Sequence, residues 1–172
     1  MPSVYPDSKL KFKEDVDFIV TSEEDYFQVL QKDIINVKTQ NNGGLRPIII
    51  VFEHLTPLKQ FYDSKFFNDY RDQSQILTEE TNPFHIKKII DEATIEGYIT
   101  LITKSLGRGT DFIIRDDSII KSGGVHVCQT FYSQTKSEEI QIKGRTARQG
   151  DPGSYSLIIL DETFPFLSLI HI

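Results

Sequence analysis

Apolar positions along the chain fall into two alternating rhythms: short runs of strand length, and longer stretches with apolar residues at helical spacing. The clearest run is PIIIVF at residues 47–52. An uninterrupted apolar stretch of that length is the pattern of a strand buried on both faces, as in a parallel sheet covered by helices. Upstream, DFIVT at residues 17–21 predicts a short strand. Behind it, Thr21 or Ser22 is placed to cap a helix whose acidic first turn (Glu23, Glu24, Asp25) complements the helix dipole. Phe27, Leu30, Ile34 and Ile35 then recur at helical spacing until NNGG closes the segment. Downstream, Thr56-Pro57 predicts a helix start by the cap-then-proline pattern, with Leu58, Phe61, Tyr62 and Phe66 lining one side.

The alternation continues. SQILTE (74–79) reads as a strand, Asn82-Pro83 opens a helix through Ile86, Ile89, Ile90 and Ala93, and Gly97 ends it. YITLIT (98–103) alternates as a strand. A glycine-rich loop and a polar excursion (115–122) lead to the strand GGVHVCQTF, then a helix around residues 141–149, then the last strand SYSLIIL (154–160). Residues 1–16 are polar and extended, with Pro2 and Pro6 opposing helix. Strand and helix alternate without internal repeat, which predicts an α/β fold: an open, mostly parallel sheet wrapped by helices.

Composition narrows the class. At 172 residues with 38% hydrophobic and 26% charged, the chain has the size and balance of one globular domain. A net charge of −6 leans away from a protein whose main task is gripping nucleic acid, which usually carries a basic footprint. Cys128 is the only cysteine, so there is no disulfide framework and no zinc set, and a reducing, cytoplasmic setting fits. No apolar run approaches the length of a membrane span, and the first residues, MPSVYPDSKLKFKED, lack the apolar centre of a secretory signal.

The candidate chemistry lies in two stretches. In QIKGRTARQGDPG (141–153), Arg145 and Arg148 are three residues apart and share one face of a helix. Gly144 lets the backbone close in beside them, and Gly150, Pro152 and Gly153 stop the helix. Two parallel guanidinium forks suit a polyphosphate; a surface helix with solvated arginines is the plainer alternative. In TKSLGRGTD (103–111), directly after a predicted strand, Gly107 and Gly109 allow close backbone approach to a ligand. Asp111 is suited to accept from a ribose hydroxyl or to orient an arginine, and Arg108 to act as a third cation or as a clamp on the loop. Ligands of open α/β sheets bind at the carboxyl ends of strands, where this loop falls.

These stretches resemble known motifs. Q-x-x-G-R-x-x-R-Q-G-D resembles the last helicase-type motif of superfamily 2 motors, and GRxxRQGDPGS looks like the SecA protein-translocation ATPases in particular. TKSLGRGTDF is similar to the SecA-type T-x-x-x-G-R-G-T-D, GGVHV to the strand that follows it, and DFIVTSEEDYFQVLQKDI and PIIIVFEH to the opening of that family's second nucleotide-binding lobe. The resemblance spans roughly residues 2–162, dense at 103–111 and 141–154.

It implies a RecA-like three-layer sandwich that completes an ATP site with a first lobe. In that arrangement Arg145 and Arg148 would reach the γ-phosphate, Gly109 and Asp111 would contact the nucleotide from the opposite side, and Gln141 would couple nucleotide state to lobe closure. The family also implies protein translocation and a polypeptide substrate. The sequence departs from it at Thr130-Phe-Tyr-Ser-Gln-Thr, where the family runs into a charged Glu-Arg-His-Glu-Ser-type stretch. The chain also contains no G-x-x-x-x-G-K-[ST] and no acidic motif of the kind that holds Mg²⁺, so the chain alone is expected not to hydrolyse ATP. ATP and Mg²⁺ would depend on the partner lobe. A nucleic-acid helicase lobe and a non-catalytic interaction module are the alternative functions.

The organisation expected is a lead-in at 1–16, the RecA-like lobe at 17–166, and a tail at 167–172. The tail, LSLIHI, is what CTG-TCT-CTT-ATA-CAC-ATC encodes, which resembles a transposase end used in preparing sequencing libraries. It is expected to be non-native, a natural apolar tail being the alternative. The other polar and aromatic residues read as structural. His126 is a core or edge histidine, His54 and His85 sit at helix entries, and Cys128 is an apolar strand residue. Glu79-Glu80 and Glu138-Glu139 are solvated charge, and Phe61, Tyr62, Phe66, Phe67 and Tyr70 are core packing rather than a base-stacking platform.

Overall fold

A computed structural model describes residues 9–12, 18–20, 22–40, 46–107, 112–133, 135, 137, 142 and 152–160. The expected helix over 141–149 and the tail at 167–172 lie outside this set, Ile142 excepted.

Among the described residues seven strands form one sheet. They are β1 (Lys9–Phe12), β2 (Phe18–Val20), β3 (Ile48–Phe52), β4 (Ser74–Leu77), β5 (Ile99–Thr103), β6 (Val125–Gln129) and β7 (Pro152–Leu160). Their order is β1-β7-β6-β3-β5-β4, with β2 also on β7, and every pairing is parallel. β1 runs beside the first half of β7 (Lys9 opposite Pro152) and β2 beside the second (Phe18 opposite Ile158). Part of the polar lead-in is therefore a strand.

Period-two alternation divides the core between the two faces of the sheet. On β3, Ile48, Ile50 and Phe52 enter one cluster, with Leu30 and Ile34 of α1 (Glu23–Thr39) and Leu58 and Phe61 of α2 (Leu55–Asp63). Ile49 and Val51 enter the other, with Val125, Val127 and Tyr155, against Ile86, Ile89 and Ile90 of α3 (Pro83–Glu92). All five residues of β3 are buried, as the apolar run predicts. β5 is also buried throughout, including Thr100 and Thr103, so its apolar–polar alternation does not mark a wet face.

Local signals set the helix ends. Ser22 accepts from the Asp25 amide at 3.2 Å, and Asn82 from the Phe84 amide at 3.0 Å with Pro83 in the first turn. The start of α2 differs from expectation: His54 occupies the cap position without a side-chain bond, so Thr56 and Pro57 lie inside the first turn. The helix ends at Asp63, and a 3₁₀ helix (Asn68–Gln73) follows. Ile35 is exposed, on the outer side of α1. The excursion at 115–122 contains a short helix, α5 (Asp117–Lys121), because Asp116 caps it through the Ser118 amide at 2.8 Å. The aromatic series packs as core: Phe61 and Phe67 have ring centroids 5.2 Å apart, and Phe67 and Tyr70 5.9 Å.

Candidate functional site

The carboxyl ends of β3, β4, β5 and β6 share one end of the sheet because every pairing among them is parallel. Four chain segments leave there. Glu53 and His54 follow β3, and a turn follows β4 in which the Thr81 hydroxyl accepts from the Thr78 amide at 2.9 Å. A short helix, α4 (Lys104–Gly107), follows β5, and Thr130 and Phe131 follow β6.

Polar side chains tie these ends together. The buried Thr103 hydroxyl donates to the Glu79 carboxylate at 2.7 Å and lies 3.4 Å from the Ser105 hydroxyl. Glu79's carboxyl sits below its usual range through a backbone bond of its own amide, with Thr103 and Ser105 adding to the effect. Lys104 lies 3.8 Å from Glu53 and 5.5 Å from the centre of the Phe131 ring. Beyond β6, Gln129 donates to the Phe131 carbonyl at 2.6 Å and to Ser133 at 2.8 Å, and accepts from the Tyr155 hydroxyl at 2.9 Å.

Gly107 closes α4. Arg108, Gly109, Asp111, Gln141, Gly144, Arg145 and Arg148 lie outside the described residues. Their described neighbours do not. Phe112, next after Asp111, and Ile142, next after Gln141, are 4% and 6% exposed and belong to the same apolar cluster. Phe112 and Ile142 thus share one core layer.

A second polar constellation carried little sequence signal. On the opposite face, His126 of β6 lies between Asp33 of α1 (Nε2 to Oδ2, 2.9 Å) and Ser154 of β7 (Nδ1 to Oγ, 2.7 Å). Arg46 donates to Ser154 at 2.5 Å and to the Gly124 carbonyl at 2.9 Å, and Ser156 donates to Asp33 at 2.7 Å. All five side chains are buried. Burial works against ionisation of Asp33, but attraction to His126 and hydrogen bonds from His126, Ser156 and Cys128 outweigh it and hold the carboxyl below its ordinary value. Arg46 is lowered by burial and partly restored by Asp33. Ser154, His126 and Asp33 have the residue types of a hydrolytic triad. Their burial, and the arginine already bonded to the serine, fit a structural pin between α1, β6 and β7.

Glu79, read as solvated charge, is exposed and also accepts from Thr103, and Glu80 makes an exposed pair with Lys59 at 3.2 Å. Cys128 is buried and in no disulfide. Among the described residues, no group of three His, Cys, Asp or Glu side chains is placed to hold a metal ion, and no helix is long and apolar enough to cross a membrane.

Comparison with known proteins gives the class first. No family model matches the chain. Among solved structures, the chain is similar to the Mss116p DEAD-box helicase domain 2 bound to an RNA duplex. The TM-score is 0.59 at 19% identity, over 88% of this chain and 54% of that one. It is also similar to the C-terminal domain of the DEAD-box protein Dbp5, with TM-score 0.56 at 19% identity, over 89% of this chain and 81% of that one. The fold is that of a RecA-like helicase C-terminal domain.

The sequence relatives are protein translocase subunits. The chain is 30% identical over 158 residues to protein translocase subunit SecA 2 of Geobacillus thermodenitrificans, covering 90% of this chain and 19% of that protein. It is 40% identical over 67 residues to protein translocase subunit SecA of Lawsonia intracellularis, covering 39% of this chain and 8% of that protein. The chain is SecA-like over most of its length, and it spans less than a fifth of the length of these relatives.

Proposed function

We propose that this lobe completes an ATP site with a first RecA-like lobe and supplies Arg145 and Arg148 to the γ-phosphate. The observation that carries the reading is the shared anchorage of Phe112 and Ile142 in one apolar cluster, each beside a stretch that resembles a SecA motif. Chain continuity keeps Asp111 next to Phe112 and Gln141 next to Ile142, both members of one buried cluster.

In this role Gly107 and Gly109 let the backbone approach the nucleotide, and Asp111 accepts from the ribose or orients an arginine. Arg108 clamps the loop, Gly144 allows close approach beside the arginine pair, and Gln141 reports lobe closure. The arginines stabilise charge on the transferring phosphoryl group, a contribution of roughly 10³–10⁵ in rate for such groups. The phosphate cradle and the Mg²⁺ ligands belong to the first lobe. The work driven is movement of a polypeptide, as the relatives named protein translocase subunits suggest.

The test is ATP turnover by this chain alone and by a protein that joins it to its first lobe. Turnover only in the joined protein is the expected result; turnover by this chain alone contradicts the reading. A nucleic-acid helicase lobe is the second reading, favoured by the likeness to a domain bound to an RNA duplex. The net charge of −6 weighs against it. Salt-sensitive binding to single-stranded RNA, with turnover stimulated by it, would favour that second reading.

A further inference from the structure

The segment that leaves β5 is held at its root by side chains from neighbouring strand ends. Thr103, the last residue of β5, is fully buried, and its hydroxyl donates to the Glu79 carboxylate at 2.7 Å. The Ser105 hydroxyl, within α4, lies 3.4 Å from the Thr103 hydroxyl. Glu79 thus grips the residue before Lys104, whose hydroxyl in turn meets that of the residue after it. Glu79 is itself fixed by the turn after β4, where the Thr81 amide donates to the Thr78 carbonyl at 3.0 Å and the Glu80 amide to the Thr78 hydroxyl at 3.2 Å. From the other side, Glu53 and the Phe131 ring take the Lys104 ammonium. α4 is only four residues long, so its own backbone bonds contribute little to fixing its direction.

We propose that Glu79 is a positioning residue: through Thr103 it sets the course of α4 (Lys104–Gly107), and so the placement of Gly107 toward the nucleotide. This rests on the reading of that segment as part of the ATP site. Glu79 touches no substrate and acts only through the Thr103 hydroxyl. Small displacements of positioned groups matter because binding geometry governs rate steeply. A glutamine at this position keeps an oxygen that accepts from the Thr103 hydroxyl, whereas alanine leaves Thr103 buried without that partner.

The experiment has one arm that does not depend on ATP. Amide hydrogen exchange is followed across residues 104–107 of the chain in the wild type, Glu79→Ala and Glu79→Gln. Glu79→Ala is expected to speed exchange there about tenfold, the worth of one net hydrogen bond, by more than it speeds exchange of the β3 amides. Glu79→Gln is expected to exchange like the wild type. In the joined two-lobe protein, Glu79→Ala lowers kcat with KM for ATP little changed, and Glu79→Gln restores it. Unchanged exchange at 104–107 in Glu79→Ala, or loosening in Glu79→Gln equal to that in alanine, overturns the proposal. So does full turnover by Glu79→Ala where Arg148→Ala has lost it. Full turnover by Arg148→Ala overturns the ATP reading instead, whatever exchange shows.

Discussion

Phe112 and Ile142, far apart in the chain, are buried in the same apolar cluster, between β3, β5, β6 and β7 on one side and α3 on the other. Each directly follows a candidate functional residue, Asp111 or Gln141. Truncating Ile142 to alanine removes an anchor that is 6% exposed. A loss of about 2–5 kcal/mol in unfolding free energy is expected from denaturant titration. A loss under about 0.5 kcal/mol, the range of surface substitutions, would mean that Ile142 is not a core residue.

Removing Asp33 strands a buried arginine and a buried histidine, since Arg46, Ser154, His126 and Asp33 form one chain of contacts. Breaking a buried charged network from one side costs about 3–5 kcal/mol. Asp33→Ala is expected to lose that much by urea titration, and Asp33→Asn less, because its side-chain oxygen still accepts from His126 and Ser156. Equal losses would show that packing, not hydrogen bonding, is what Asp33 contributes.

The same carboxyl gives a pH dependence. Its folded value lies below the ordinary 3.8. Its stabilisation is therefore fully present above that value and is lost as pH falls through the lower, folded value. Unfolding free energies measured at pH 7, 5 and 3 should show the wild-type advantage over Asp33→Asn constant between pH 7 and 5 and shrinking at pH 3. An advantage that grew on acidification would reverse the assigned sign.

Gly124 sits at φ +75°, and a Cβ added there would come within 1.8 Å of the Pro152 carbonyl oxygen. A left-handed backbone alone costs a non-glycine residue about 1–3 kcal/mol, and the clash adds displacement of β7 from β6. At Gly123, φ is +115° and the nearest atom is Arg46 Nε at 3.2 Å, a far milder approach. Gly124→Ala should lower the thermal midpoint more than Gly123→Ala; the opposite order would contradict the pairing of Val125 with Gly153.

The architecture was legible where hydrophobic spacing is strong. β3 announced itself as an uninterrupted apolar run, and the caps of α1 and α3 by Ser22 and by Asn82-Pro83. β1 was not legible as a strand, because Lys9–Phe12 is short and gains its pairing only from β7, at the far end of the sequence. α5 was hidden in a polar stretch too short to show a period. Asp33 reads like a solvated helix residue, and Arg46 like loop charge. Only the fold brings both to His126, the one member of the network whose apolar strand hinted at burial. For the candidate site, sequence patterns named the residues, and the structure contributes the anchors on which their stretches are built. Glu79 escaped because a carboxylate beside a second glutamate gives no sign that a threonine of the next strand will bind it.

The account rests most heavily on the arginine pair, and the most direct measurement is ATP turnover alongside nucleotide binding in the two-lobe protein carrying Arg148→Ala or Arg145→Ala. Binding of a fluorescent, non-hydrolysable ATP analogue is expected to persist, with Arg148→Ala lowering kcat by roughly 10³-fold or more. Turnover equal to that of the wild type, with binding intact, would contradict the claim that this lobe supplies arginines to the γ-phosphate.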